Sequence, residues 1–247
     1  MYEPSEYTKR VMAAGDPQLR LIGVGPWERE HPDQPRPDPA QDPRFDPELL
    51  DQGDSRNVMD RYRYWTVEAI KADLDSRGRH SFEVAIENWT HDFNIGSMVR
   101  TANAFTAKRV HIIGPHKWNR KGSLMTELYQ TIDYHPSIDE FVADIRARDW
   151  KESQEAAAKE GKEGNKAQPI HTRIVALDIV PGAVPIETYR FPERCVLLFG
   201  AEGPGLTRKA LGIADDVVYI TQYGSVRSLN AGAAAAVSMH AWMMQHG

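Results

Sequence analysis

The sequence predicts an α/β fold: a mostly parallel β-sheet with helices on both faces, preceded by an irregular N-terminal extension. From Ser81 onward, short apolar or β-branched runs alternate with stretches of helical spacing, the order that builds a parallel sheet. The runs are FEVAIEN (82–88), RVHIIG (109–114), TRIVALDI (172–179), RCVLLFG (194–200) and DVVYIT (216–221), and their largely continuous apolar character suits strands buried on both sides. Before them, HPDQPRPDPAQDPRFDPE (31–48) places a proline every two to four residues, which excludes helix and suits an extended linker or a wrapping arm. The chain therefore divides into residues 1–80, a proline-rich extension with a short helix, and 81–247, the α/β domain.

In chain order, RYRYWTVEAIKADLDSRG (61–78) has Trp65, Ile70 and Leu74 near helical spacing and ends at Gly78, a C-cap. Its aromatic residues suit packing at a helix start, while Arg61, Tyr62, Arg63, Tyr64 and Trp65 together also suit stacking and charge contacts with RNA. Further helices are expected at about 95–105, 123–130, 137–160, 206–213 and 229–245. In the first, Asn94 is the N-cap and Ile95, Met98 or Val99, Ala102 and Phe105 form the apolar stripe. Gly96, Arg100 and Asn103 fall on another face, so Arg100 points away from the core and the costly Gly96 signals close approach by something else. KESQEAAAKEGKEGNKAQP (151–169) ends a helix and runs into a mobile loop.

Composition narrows the function classes. The apolar tail from Leu229 to Met244 is too short and alanine-rich to span a membrane, and MYEPSEYTKR lacks the apolar segment of a secretory signal, so a soluble chain is expected. Cys195 is the single cysteine, which excludes an internal disulfide or a cysteine zinc site and makes the cytoplasm the default location. No His, Asp or Glu cluster has metal-ligand spacing, so no metal is expected. The net charge is −5, yet Asn94–Leu124 carries Arg100, Lys108, Arg109, Lys117, Arg120 and Lys121 with no acid among them. Such a segment is either a solvated face or a phosphate contact.

Ligands of parallel sheets bind beyond the carboxyl ends of the strands, and three of these ends are unusual. WTHDFNIGSMVRTANAF follows the first strand. GAEGPGLTRKAL follows the fourth, but Leu206 stands where a phosphate loop needs lysine and Arg208 where a dinucleotide fingerprint needs its third glycine. NTPase and NAD chemistry lose their support, and a glycine turn with one carboxylate, Glu202, remains. In QYGSVRSLNAGAAAAV, Ser228 can cap the last helix and Asn230 lies in its first turn, where free amides favour polar ligands. The alanines suit either a buried small-residue helix or a subunit interface.

The blocks NIGSMVRTANAF, LLFGAEGPGL and ITQYGSVRSLNAGAAAAV, in that order and each at a strand end, resemble the SPOUT-class RNA methyltransferases, in the branch that methylates ribose 2′-hydroxyls of tRNA or rRNA. The resemblance spans about residues 82–245 and implies a C-terminal trefoil knot, a homodimer and S-adenosyl-L-methionine as cofactor. It also implies catalytic roles for Arg100, Asn94, Glu202, Ser228 and Asn230, and cofactor contacts from Leu177, Gly200, Ile220 and Leu229. Glu202 would orient Arg100 or its own loop. The sequence departs from the family in lacking a proline after Ile220 and in carrying the proline-rich arm where an RNA-binding domain usually stands. A non-catalytic RNA-binding or ribosome-assembly protein on the same fold is the alternative.

Overall fold

Seven strands form one parallel sheet in a computed structural model that describes residues 5–15, 22–90, 94–159, 169–226 and 228–247. They are β1 (Glu83–Glu87), β2 (Val110–Ile113), β3 (Ile132–His135), β4 (Arg173–Leu177), β5 (Val184–Pro185), β6 (Cys195–Phe199) and β7 (Asp216–Tyr219), in the order β3-β2-β1-β6-β4-β7-β5. The five expected strands are the inner ones. The two that the apolar pattern misses, β3 and β5, lie at the edges, where Asp133, Tyr134 and Pro185 are tolerated because one side needs no partner strand.

By contacts the chain separates into two units, Met1–Thr66 and Val67–Gly247. The first unit has more regular structure than its composition suggests: α1 (Glu6–Ala14), α2 (Trp27–Glu30) and α3 (Pro47–Gln52). Asp46 accepts from the amides of Glu48 and Leu49 while Pro47 opens α3, so part of the proline run is a helix start. The unit is organised around the buried carboxylate of Asp54, which accepts from Arg56 Nε and Nη2, both at 2.8 Å, and from the Tyr64 amide at 3.0 Å. Tyr64 Oη donates to the Gly25 carbonyl at 2.7 Å.

These contacts take Tyr62, Arg63 and Tyr64 out of the RNA-stacking surface expected at 61–65, where Arg61 is exposed and Trp65 half-buried. Tyr62 and Tyr64 are core residues, and Arg63 Nη1 donates to the Arg56 carbonyl. Deleting residues 1–60 would remove Gly25, Asp54 and Arg56, the groups that hold this aromatic cluster in place. The helix expected at 61–78 begins only at Val67, because Tyr64 has a left-handed backbone (φ 63°).

The second unit contains α4 (Val67–Ser76), α5 (Ile95–Ala104), α6 (Ile138–Lys159), α7 (Arg208–Ile213) and α8 (Ala231–His246). Alternation along the strands splits the core. Val84, Ile86, Val175, Leu197 and Phe199 face one side with α5 and α8, whereas Ala85, Ile174, Ala176, Val196 and Leu198 face the other with α6 and α7. Helices thus cover both faces, as the strand-helix alternation requires. Cys195 is fully buried, and burial pushes its thiol up to about 12, so it is an inert core residue. The helix expected at 123–130 is instead two 3₁₀ turns, Arg120–Ser123 and Thr126–Leu128, separated by left-handed Leu124 and Met125. No helix among the described residues is long and apolar enough to cross a membrane. Residues 160–168, the centre of the expected loop after α6, lie outside the described residues.

Candidate active site

Leu177, Gly200 and Ile220, expected at a cofactor site, stand at the carboxyl ends of β4, β6 and β7, three adjacent strands. Leu177 and Ile220 are half-buried and pack against the same core face as α5 and α8. A Cβ on Gly200 would lie 2.1 Å from the Gly205 carbonyl carbon and 2.3 Å from the Leu206 nitrogen, because the AEGPGL loop folds back on its own start. This glycine therefore serves the loop's closure first.

Two acids that sequence reasoning passed over brace that loop. Asp178 Oδ2 accepts from the Leu206 amide at 2.9 Å. Glu87, fully buried at the end of β1, accepts from the Thr207 amide and hydroxyl, both at 2.7 Å, and from Trp89 Nε1 at 2.6 Å. The available signal was an acid terminating an apolar strand, in VALD and VAIE. At such a position a carboxylate reaches the amides of the next loop and fixes their direction.

The three motif blocks meet at Asn94, Glu202 and Asn230. Asn94 Nδ2 donates to Glu202 Oε2 at 2.6 Å, and Asn230 Nδ2 donates to Asn94 Oδ1 at 2.9 Å and to Glu202 Oε2 at 3.3 Å. The Ala231 amide at the start of α8 also donates to Glu202 Oε2, at 3.1 Å, so the carboxylate sits against a helix N-terminus that favours negative charge. Asn94 holds the N-cap position of α5, but its side chain makes no capping bond and crosses to Glu202 instead. Ser228 is not the cap of the last helix. That role belongs to Asn230, whose Oδ1 accepts from the Ala233 amide at 3.1 Å, because α8 begins two residues later than the capping geometry of Ser228 would require.

The structure does not bring every expected residue into this cluster. Ser228 and Leu229 are exposed in the preceding loop, and Ser228 makes no side-chain hydrogen bond among the described residues. Arg227 and the neighbouring His91 and Asp92 lie outside the described residues. Arg100 is exposed on α5 and makes no hydrogen bond or ion pair among the described residues, so Glu202 orients the two asparagines and the α8 terminus rather than this arginine. Gly96 does mark a close approach, and the chain itself makes it: a Cβ there would lie 2.9 Å from Gly122 Cα and from the Ser123 nitrogen.

A second polar cluster is buried away from the motif blocks. Arg148 Nη1 and Nη2 donate to Glu83 Oε1 and Oε2 at 2.8 and 2.9 Å, His111 Nε2 lies 2.7 Å from Glu83 Oε2, and His111 Nδ1 lies 2.9 Å from His135 Nε2. Burial by itself would raise the Glu83 carboxyl, but hydrogen bonds from His111 and Arg148, with their charges, outweigh it and hold the group at about 2. Burial, helped by the charge of His111, lowers His135 below its ordinary value. The ligand atoms of His111, His135 and Asp144 also lie within 4.8 Å of one another, a grouping that no sequence spacing announces. Arg148 Nε donates to Asp144 at 3.2 Å, so a cation already occupies the acid's side of this group.

Chemically, the motif cluster offers amide donors, carbonyl acceptors and one carboxylate beyond the carboxyl ends of β1 and β6, a set that orients hydroxyl groups. The exposed Arg100 guanidinium, a planar fork of N–H donors with no acceptor, suits a phosphate better than a proton-transfer role. Residues 81–240 match the family model described as the SpoU rRNA Methylase family. The chain is 22% identical over 171 residues to the tRNA (guanosine(18)-2′-O)-methyltransferase of Escherichia coli strain K12, covering 68% of this chain and 65% of that protein. It thus spans just under two thirds of that relative's length. Among solved structures it is similar to the SpoU methyltransferase AviRb of Streptomyces viridochromogenes, solved with AdoMet, with 25% identity, a TM-score of 0.55 and coverage of 68% of this chain and 58% of that one. The TrmH/SpoU tRNA modifying enzyme of A. aeolicus shares the fold, with a TM-score of 0.56, 17% identity and coverage of 72% of this chain and 81% of that one.

Proposed function

The chain belongs to the SpoU rRNA methylase family, and from that premise we propose that it transfers a methyl group from S-adenosyl-L-methionine to a ribose 2′-hydroxyl of tRNA or rRNA. The observation that carries this reading is the bonding of Asn94 to Glu202 and Asn230, 108 and 136 positions further along the chain, beyond the carboxyl ends of the strands, where α/β proteins bind ligands. S-adenosylmethionine supplies an electrophilic methyl group on a sulfonium. When bound it would offer that methyl to the ribose oxygen, with the sulfonium sulfur as leaving group and the hydroxyl proton passing to water, so the protein's part is alignment and a polar surround.

The residues fit that task. Leu177 and Ile220 provide a half-buried apolar floor at adjoining strand ends that suits an adenine face, and the backbone of Gly200, Ile220 and Leu229 would hold its polar edge. Asn94 and Asn230, locked by Glu202, would orient the ribose hydroxyls, with Ser228 joining them from its loop, and Arg100 would hold the neighbouring phosphate. The same reading includes the C-terminal knot, a cytoplasmic location and a homodimer that needs no metal. For the dimer, support comes from the exposed apolar side chains Tyr223, Val226 and Leu229, continued along α8 by Val237 and Met244.

Calorimetric titration with S-adenosylmethionine and S-adenosylhomocysteine tests the reading. Saturable binding of both is expected, with loss in Gly200→Val, whose Cβ branch would force open the 200–206 loop. A folded protein that binds neither compound would contradict it.

A further inference from the structure

Among the described residues, four cations of the acid-free segment have no acid partner. Lys108 pairs with Glu152 at 3.3 Å and Arg109 with Asp133 at 2.7 Å, whereas Arg100, Lys117, Arg120 and Lys121 are exposed and have no ion pair among the described residues. Glu127, the next acid along the chain, is turned to the Ser123 hydroxyl. The turn that displays Arg120 and Lys121 is fixed in place: Asn119 Oδ1 accepts from the Lys121 amide at 2.9 Å, and the buried Ser123 hydroxyl donates to the Arg120 carbonyl at 2.6 Å. Trp118 anchors the near side with Nε1 donating to Tyr134 Oη at 3.2 Å.

The turn is also placed beside the motif cluster. Its backbone lies against Gly96, two residues after Asn94 and one helical turn before Arg100 on the same face of α5. That contact is so close that a single Cβ on Gly96 would come within 3.0 Å of Gly122, Ser123 and the Asn119 carbonyl. Beyond it, Leu124 and Met125 hold successive left-handed conformations (φ 47° and 67°) with exposed side chains, a strained arrangement for residues that have a Cβ.

We propose that Arg120 and Lys121 grip backbone phosphates of the RNA next to the target ribose, so that the Asn119–Ser123 turn is a substrate-positioning element; this rests on the function proposed above. Two cations without acids, held rigidly next to a site open to solvent, are the arrangement that phosphate recognition requires. Leu124 and Met125 supply apolar surface that would pack against sugar or base beside the gripped phosphates.

The test is fluorescence anisotropy of a labelled hairpin RNA of about 30 nucleotides, titrated with the full chain across about 50–300 mM KCl. Arg120→Gln combined with Lys121→Gln is expected to weaken binding at least tenfold and to lower the slope of log affinity against log salt by about 1.4–1.8, with S-adenosylmethionine binding unchanged. A matched loss of two charges elsewhere, Lys151→Gln with Lys209→Gln, should change affinity less than about twofold. Equal affinity in the turn variant, or equal losses in both double variants, would overturn the proposal and leave the methyltransferase reading standing. A wild-type protein that binds neither S-adenosylmethionine nor RNA would overturn both.

Discussion

Glu83 and Glu202, both in the second unit, are bonded into polar networks in opposite surroundings. Glu83 lies at the start of β1, buried, held by a guanidinium and an imidazole; Glu202 lies beyond the end of β6, exposed, held by two asparagine amides and a helix N-terminus. Burial makes the first network strong and costly to break, because a lost partner leaves an uncompensated charge in a poorly solvated place. Exposure makes the second weak as a source of stability and open to a ligand. The number of hydrogen bonds is similar, but only one of the two networks can have a substrate as its next partner.

Substitutions should separate the two. The largest effect is expected from Arg100→Ala, which should lower kcat/KM for RNA methylation about a thousandfold. Because Arg100 is exposed, the melting temperature should move by no more than about 1 °C, measured by differential scanning fluorimetry. Arg148→Met should do the reverse: it strands Glu83, costs about 3–5 kcal/mol of stability, and leaves turnover at a temperature where the variant is folded within about twofold of wild type.

Asn230 sharpens the contrast because it serves both purposes. Asn230→Ala should cost about 1 kcal/mol from the lost α8 cap and reduce turnover about tenfold, while Asn230→Ser should restore the melting temperature without restoring the rate, since a serine hydroxyl caps α8 but cannot reproduce the amide bonds to Asn94 and Glu202. Between neutral pH and about pH 5 the smallest effect is that of pH on the buried network, which grows only in stronger acid. Glu83, held at about 2 against an ordinary 4.5, contributes stability that is complete above pH 4.5 and is lost as the pH falls toward 2. His135, kept below its ordinary 6.5, adds to the loss below that pH because the unfolded chain takes up the proton more readily. The melting temperature should therefore decline from pH 6.5 downward, and in Glu83→Gln, less stable at neutral pH, the decline below pH 4.5 should flatten.

The same contrast explains what could be read from the sequence. Residues whose role depends on strand and helix order were legible: the five inner strands, the three blocks at their ends, and the convergence of Asn94, Glu202 and Asn230 that the family resemblance implied. Pairings between distant positions were not. Nothing near Glu83 in the chain announces Arg148, 65 residues on, and nothing near Thr207 announces Glu87, 120 residues before it. Local rules also lost to tertiary contacts. Asn94 gives up its capping bond for Glu202, and the helix expected at 123–130 gives way to 3₁₀ turns where the preceding turn closes on Gly96. In the first unit, proline masked a helix start, and Tyr62 and Tyr64, two of the side chains that suggested an RNA surface, are buried.

The measurement that tests the central claim most directly is transfer of a labelled methyl group from S-adenosylmethionine to unmodified tRNA and rRNA, followed by alkaline hydrolysis. A methylated 2′-oxygen blocks cleavage of the adjacent phosphodiester, so the account predicts label in alkali-resistant dinucleotides and its absence with Arg100→Ala. Label recovered only in mononucleotides would mean a methylated base, and a protein that binds the cofactor but labels neither RNA would contradict the account.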